Sequence, residues 1–252
     1  MKVKQRKFSG CVCEQLVYTV SDKVRDVASA APSFRFKDEE ERRQHRLGIS
    51  RRKFARIVNE NFSPSSFYST LTFSDEWEVH TFKDARRIRD NFVRRLQSSC
   101  PDVRLVIVMG RGKGTKRIHF HMISDGAAPE LIEKKWFCGD IISCVKLREH
   151  NFYEGIDYGQ DYTALANYLF NHWTEEQGGH RWKQTRNMRK PEEEEPKEVK
   201  RNYSANKPPK APKGYKLVEM TTTRYGFLYF KYVRDTEAEK QEKLSSKKGQ
   251  LE

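Results

Sequence analysis

Apolar residues recur at every second position in several short stretches and at helical spacing in others, and the two rhythms take turns along the chain. Residues 1–20 read as a strand running from Phe8 through Val12 to Val20, with a basic leader from Lys2 to Lys7. Residues 21–46 lose apolar periodicity and are dense in charge, which reads as a solvated connection or an exposed helix. Ser50 caps an expected helix over 51–59 that turns Phe54, Ile57 and Val58 inward, and Asn61 and Pro64 end it. Phe67-Tyr-Ser-Thr-Leu-Thr-Phe73 follows as a half-buried strand with Phe67, Leu71 and Phe73 on one face and Tyr68, Thr70 and Thr72 on the other.

Asp84 opens a helix to about Ser99, with Ala85, Ile88, Phe92 and Leu96 at core spacing and arginines around the rest. Val103–Met109 and Arg117–Ser124 are strands joined as a hairpin by the glycine-lysine loop 110–116. Pro129 starts a short helix to Trp136, and Ile141–Leu147 is another strand. Strand, helix, strand, strand, helix, strand is the order of a split βαβ unit. The expected fold class is therefore α+β: a ferredoxin-like (RRM-like) antiparallel sheet of about five strands with helices on one face, plus a C-terminal β-hairpin. A further helix over 161–173, N-capped by Asp161, carries the stripe Tyr162, Leu165, Ala166, Leu169 and Trp173 and leaves Tyr168 off it, with Asn171 and His172 one turn on.

These patterns divide the chain into an N-terminal strand and charged connection (1–49), a core (50–190), a Glu/Lys/Pro-rich linker or extended arm (191–214), a hairpin (215–234) and a disordered tail (235–252).

Composition narrows the partner. Of 252 residues, 36% are hydrophobic and 33% charged, and 49 Lys plus Arg against 35 Asp plus Glu leave a formal charge of +14, which favours a polyanion such as nucleic acid. Mean hydropathy is −0.90. No apolar run approaches the roughly 18 residues needed to span a bilayer and no signal peptide follows Met1, so no membrane partner and no export are expected. The five scattered cysteines give no disulfide framework, and Cys11-Val-Cys13 reads as strand filler. No phosphate-binding Gly-x-x-x-x-Gly-Lys motif is present, which excludes that class of NTPase.

The strand Arg117-Ile-His-Phe-His-Met-Ile-Ser124 carries the candidate chemistry. Period two places Ile118, Phe120 and Met122 on one face and Arg117, His119, His121 and Ile123 on the other, so two imidazoles project side by side where both can reach one metal ion. The same pattern also fits two ordinary hydrogen-bonded histidines. With a tyrosine on a nearby helix, a metal-bound phosphodiester could be attacked by the phenolate to leave a covalent phosphotyrosine. The basic run His180–Lys190, with Trp182 among Arg181, Lys183 and Arg186, suits stacking and phosphate contact, as do Lys116 and Arg117 beside the histidines; a plain surface loop is the competing reading.

In these motifs the sequence resembles the HUH endonucleases, and within them the rolling-circle replication-associated proteins of phages, plasmids and integrative elements. Thr70-Leu-Thr-Phe73 resembles the first motif, Ile118-His-Phe-His-Met-Ile123 the second, and Ala164-Leu-Ala-Asn-Tyr-Leu-Phe-Asn171 the third, within a similarity covering most of residues 50–235. The resemblance implies a replication initiator that nicks and rejoins single-stranded DNA through a 5′-phosphotyrosine. His119 and His121 would be Mg²⁺ or Mn²⁺ ligands and Tyr168 the nucleophile, with Tyr162 the second candidate. It further implies single-stranded origin DNA as substrate, host helicase and polymerase as partners, and the cytoplasm of a bacterial host as location. Two positions depart from the family pattern. Asn171 and His172 stand where a lysine is usual, which leaves its role to Lys183 or Arg186, and Gly110 stands about where a third ligand, Glu, is usual. The third ligand stays open, with Asp75, Glu76 and water as candidates. Two other readings also stay open: a non-catalytic RRM-like nucleic-acid binder stacking bases on Tyr68, Phe120 and the aromatics of 225–232, and a relaxase or transposase of the same chemistry.

Overall fold

The computed structural model describes residues 1–20, 35–77, 79–112, 117–174, 177–204, 206–223 and 225–235. The expected disordered tail beyond Asp235, Lys116 and most of the 110–116 loop, and much of the 21–46 connection lie outside the described residues. In chain order the elements begin with β1 (Lys2–Ser9), β2 (Val12–Thr19), α1 (Glu39–Asn61), β3 (Phe67–Thr72), α2 (Phe82–Ser99) and β4 (Arg104–Arg111). They continue with β5 (Ile118–Asp125), α3 (Pro129–Lys135), β6 (Ile141–Lys146), β7 (Phe152–Tyr153), β8 (Ile156–Asp157) and α4 (Thr163–Phe170). Five strands follow: β9 (Lys183–Gln184), β10 (Glu192–Glu193), β11 (Lys197–Glu198), β12 (Tyr215–Thr222) and β13 (Leu228–Arg234).

The chain divides into two compact units, one of Met1–Ser50, His150–Asp161 and Pro191–Glu252, the other of Arg51–Glu149 and Tyr162–Lys190. In the first, the sheet order is β10-β1-β2-β13-β12, with β11 also on β1. The expected single strand over 1–20 is a hairpin, because Gly10 at φ 55 sits in the left-handed region and folds β2 back on β1. β13 then pairs with β2 from Leu228↔Val17 to Val233↔Val12, which brings strands more than 200 residues apart into one sheet. The expected linker or extended arm is partly strand: β10 and β11 add to the outer edge of β1, with Lys7↔Glu193 in register and their side chains 2.6 Å apart. An acidic run laid along a basic strand supplies by charge pairing what the arm lacks in apolar surface.

Lys231 on β13 is buried against Asp161 at 3.0 Å and lies 3.6 Å from Glu219. This ion pair replaces the expected N-cap role of Asp161; the cap position of α4 is Tyr162, which makes no side-chain cap bond.

In the second unit the sheet order is β6-β3-β5-β4-β9 with every neighbouring pair antiparallel. The class is α+β, but the expectation of helices on one face is corrected. Ile118, Phe120 and Met122 pack with Phe92 and Leu96 of α2 and Ile132 of α3 on one face. On the other, Val106, Val108 and Ile123 pack with Phe54, Ile57 and Val58 of α1 and Ala166 and Leu169 of α4. The helix after β6 supplies this second layer because its own stripe needs cover. The expected start of α2 holds to two residues: Thr81 caps it, its hydroxyl accepting the Asp84 amide N–H at 3.1 Å. α1 begins earlier than its apolar pattern, with Arg42–Glu39 and Arg43–Glu40 pairs one turn apart in the stretch that lacks a stripe.

Candidate metal centre

β3, β5 and the end of α4 converge on three histidines. Pairing of β4 with β5 brings Gly110 opposite His119 and Val108 opposite His121, and β3 sets Thr70 opposite His121. His119 and His121 project from the same side of β5, as alternation requires, with their Nε2 atoms 3.1 Å apart. His172, just past the C-cap of α4, closes the group: its ring lies 4.2 Å from that of His121 and 5.8 Å from that of His119, centroid to centroid. One ligand nitrogen from each of the three can be chosen so that all lie within 4.8 Å of one another. Two nitrogens each about 2.1 Å from one ion and about 95–110° apart are separated by roughly 3.1–3.4 Å, so the His119–His121 spacing suits a shared ion.

Ring nitrogens serve as ligands only when unprotonated, and the surroundings of His119 and His121 favour that form. Burial lowers the pKa of His119, the backbone oxygen of Arg117 opposing it. Burial, then the neighbouring His172 and His119, push His121 down to about 3. His172 is held at both ends of its backbone, its N–H donating to Leu169 O at 3.1 Å and its carbonyl accepting from Gln177 Nε2 at 3.0 Å.

Gly110 explains how a helix residue enters a strand-built site. A Cβ at 110 would stand 2.8 Å from His119 Nε2 and 3.0 Å from His172 Nδ1, where it would crowd both rings. The missing side chain on β4 is the space that the two imidazoles use.

A second layer orients the first. The Tyr68 hydroxyl lies 2.7 Å from His121 Nδ1, with the Thr70 hydroxyl 3.3 Å from the same nitrogen. With Nε2 turned to a metal, the ring proton sits on Nδ1 and donates to the Tyr68 oxygen. The Thr70 hydroxyl also donates to the Tyr68 oxygen, at 3.4 Å. Tyr68 therefore stands between His121 and the neighbourhood of the candidate nucleophile. Burial raises the pKa of Tyr68, against the Thr70 hydrogen bond, so it stays protonated.

Tyr168 is 51% exposed, and its ring stands 4.6 Å from that of His172 and 5.6 Å from that of His121. Tyr162 is 3% exposed and donates its hydroxyl to Arg148 O at 3.0 Å, which makes it a packing residue of the helix start. Of the other sequence candidates, Asp75 pairs with Arg117 and Glu76 is exposed; neither belongs to the histidine group. Arg181 lies over Trp173 at 3.8 Å and Phe170 at 4.8 Å, close in sequence to the end of α4. Trp182 packs against Phe54 at 4.8 Å and donates to Gln184 at 2.8 Å, a wedge in the core layer more than a stacking surface. Lys183, on β9, faces Asp90 at 3.8 Å, and Arg186 is exposed. Phe120, a base-stacking candidate in the RRM-like reading, is fully buried.

His172 is the candidate ligand that sequence reasoning passed over. Its signal was the four-residue step from Tyr168, which puts both on one helix face, combined with the bare position at Gly110 across from His119. Among the described residues no helix is long and apolar enough to cross a membrane. No protein-family model, no curated protein and no solved structure matches this chain.

Proposed function

We propose that the protein is an HUH-type DNA endonuclease and strand transferase, acting as a rolling-circle replication initiator on single-stranded origin DNA in a bacterial cytoplasm, with host helicase and polymerase as partners. The observation that carries this reading is a half-exposed tyrosine set against a cluster of three histidines. The sheet supports it: the four strands β6-β3-β5-β4, numbered in chain order, run 4-1-3-2 with all neighbours antiparallel, an order compatible with the proposed ferredoxin-like core beside an added edge strand and a second helical layer.

A bound divalent ion would be held by His119, His121 and His172 and would polarise the scissile phosphate. Three nitrogen donors, with no carboxylate grouped with them among the described residues, suit Mn²⁺ better than Mg²⁺, which prefers oxygen. Tyr168 Oη attacks the phosphorus and forms a phosphotyrosine ester; the bond to the 3′ oxygen breaks and that oxygen takes a proton from water. The phenol proton leaves to solvent, to which Tyr168 is open, while the Tyr68 O–H aims the attacking oxygen. Rejoining is the same exchange reversed, so no phosphodiester energy is lost. A relaxase or transposase would share every one of these steps.

The test is a covalent-capture gel with a randomised single-stranded DNA pool and Mn²⁺. Wild type should form an adduct at the 5′ phosphate, and Tyr168→Phe, His121→Ala and EDTA should each abolish it. An adduct that survives Tyr168→Phe but is lost in Tyr162→Phe would move the nucleophile, and no adduct from any strand would overturn the reading.

A further inference from the structure

The first unit carries a cleft of about 210 Å³ that has no part in the histidine centre. Tyr18, Tyr203, Tyr225 and Phe227 line it together with Lys2 and Arg201. Its aromatic walls are set before any ligand arrives. Tyr18 is 3% exposed and meets Phe227 edge-on at 5.9 Å; Phe227 is tilted against Tyr225 at 6.3 Å; and Tyr225 meets His45 edge-on at 5.4 Å. Val3 and Val20 pack beneath them.

The rim is cationic. Arg201 is exposed, and Lys2 bonds to Asn202 beside it. Lys2, Lys4 and Arg6 fall on one face of β1 by strand alternation, leading away from the cleft. Burial is the main reason the pKa of Lys4 is lowered, and the nearby Arg6 and Lys197 lower it further, against Glu194.

Size and chemistry together select the ligand class. Pockets that enclose drug-sized ligands are roughly 300–1,000 Å³, so this cleft suits one planar ring rather than a whole cofactor. Aromatic faces take any nucleobase, and lysine and arginine at the rim take the phosphates on either side of it. A neutral aromatic metabolite would use the walls but leave the rim cations unmatched. We propose that this cleft binds one unpaired base of single-stranded DNA, with the flanking phosphates on Lys2 and Arg201, as an anchoring site separate from the nicking centre.

The experiment uses the full-length protein in EDTA, so that the readout is binding alone. A labelled oligothymidylate of about 20 nucleotides carrying 5-iodouracil is titrated and photocrosslinked. The expected crosslinks fall on Tyr203 or Tyr225, and Arg201→Glu, an exposed position that leaves the packing alone, should weaken binding about ten-fold, as should Tyr225→Leu. Crosslinks confined to residues 51–149 and 162–190, or Arg201→Glu binding within two-fold of wild type, would overturn the proposal. Thymidine monophosphate crosslinking at the same tyrosines with the affinity of the oligomer would also overturn it, since the cleft would then be a free-nucleotide site. No metal or nicking enters this assay, so its failure and a failure of the nicking reading are separate results.

Discussion

Gly110 and His172 form a complementary pair: a residue with no side chain on β4 and a ring brought in from the end of α4 fill one volume. Two substitutions separate their roles. Gly110→Ala adds one methyl group against two imidazoles and should lower Mn²⁺ affinity at least ten-fold with little change in thermal stability, while His172→Ala should lower affinity further by removing a ligand; calorimetric titration with Mn²⁺ reads both. Tyr68→Phe keeps the ring and removes the oxygen that His121 Nδ1 needs. The expected loss in metal affinity is about 10–100-fold, and the nitrogen-15 NMR signature of His121 should change from a fixed Nδ1–H tautomer to a mixture. Unchanged affinity and tautomer would remove Tyr68 from the ligand-orienting role.

The same burial makes the metal-free protein sensitive to acid. His121 has its folded pKa, about 3, below the unfolded value near 6.5. The unfolded chain therefore binds the proton first, and stability present above about pH 6.5 is lost as pH falls, by up to about 1.4 kcal/mol per pH unit down to about pH 3. Urea unfolding of the metal-free protein at pH 7.5 and pH 5.0 should show this loss, and His121→Asn should reduce it.

Elements with their own rhythm were legible in the sequence, and elements held by partners were not. β3, β4, β5, α2 and α3 follow their apolar periods to within a few residues, and alternation alone put His119 and His121 on one side of β5. By contrast β10 and β11 have no apolar pattern and exist because β1 offers them an edge and opposite charge, a relation about 190 residues apart in the chain. Asp161 misled for the same reason. Its type and place fit a helix cap, but its partner is Lys231, seventy positions on. The fold contributes the third candidate ligand in the same way, since His172 joins the strand histidines only once α4 lies on the sheet. Lys231 gives this a test at the scale of the sheet. Burial lowers its pKa, yet Asp161 and Glu219 raise it more, so the ammonium is the native form. Lys231→Met removes the cation paired with the buried Asp161 and should cost about 3–5 kcal/mol, and adding Asp161→Leu should recover most of that loss. Denaturant unfolding of the two variants checks both statements.

At the scale of the whole molecule, the unit with the histidines comes from two stretches in the middle of the chain, and the other unit from the start, a short insert and the end. The histidine unit is closed by residue 190, and its sheet needs nothing that follows. The central strand β2 pairs with β13 more than 200 residues later. During synthesis, β1 and β2 leave the ribosome as a hairpin whose β2 edge stays open until β13 is made. At about 5–20 residues per second that wait is on the order of ten seconds or more, long enough for an unpaired edge to find another chain. The acidic 192–195 segment arrives first and covers the β1 side, whereas β2 remains open until β13 is complete. Chains that stop before residue 228 should accumulate as aggregates whose histidine centre is nonetheless formed.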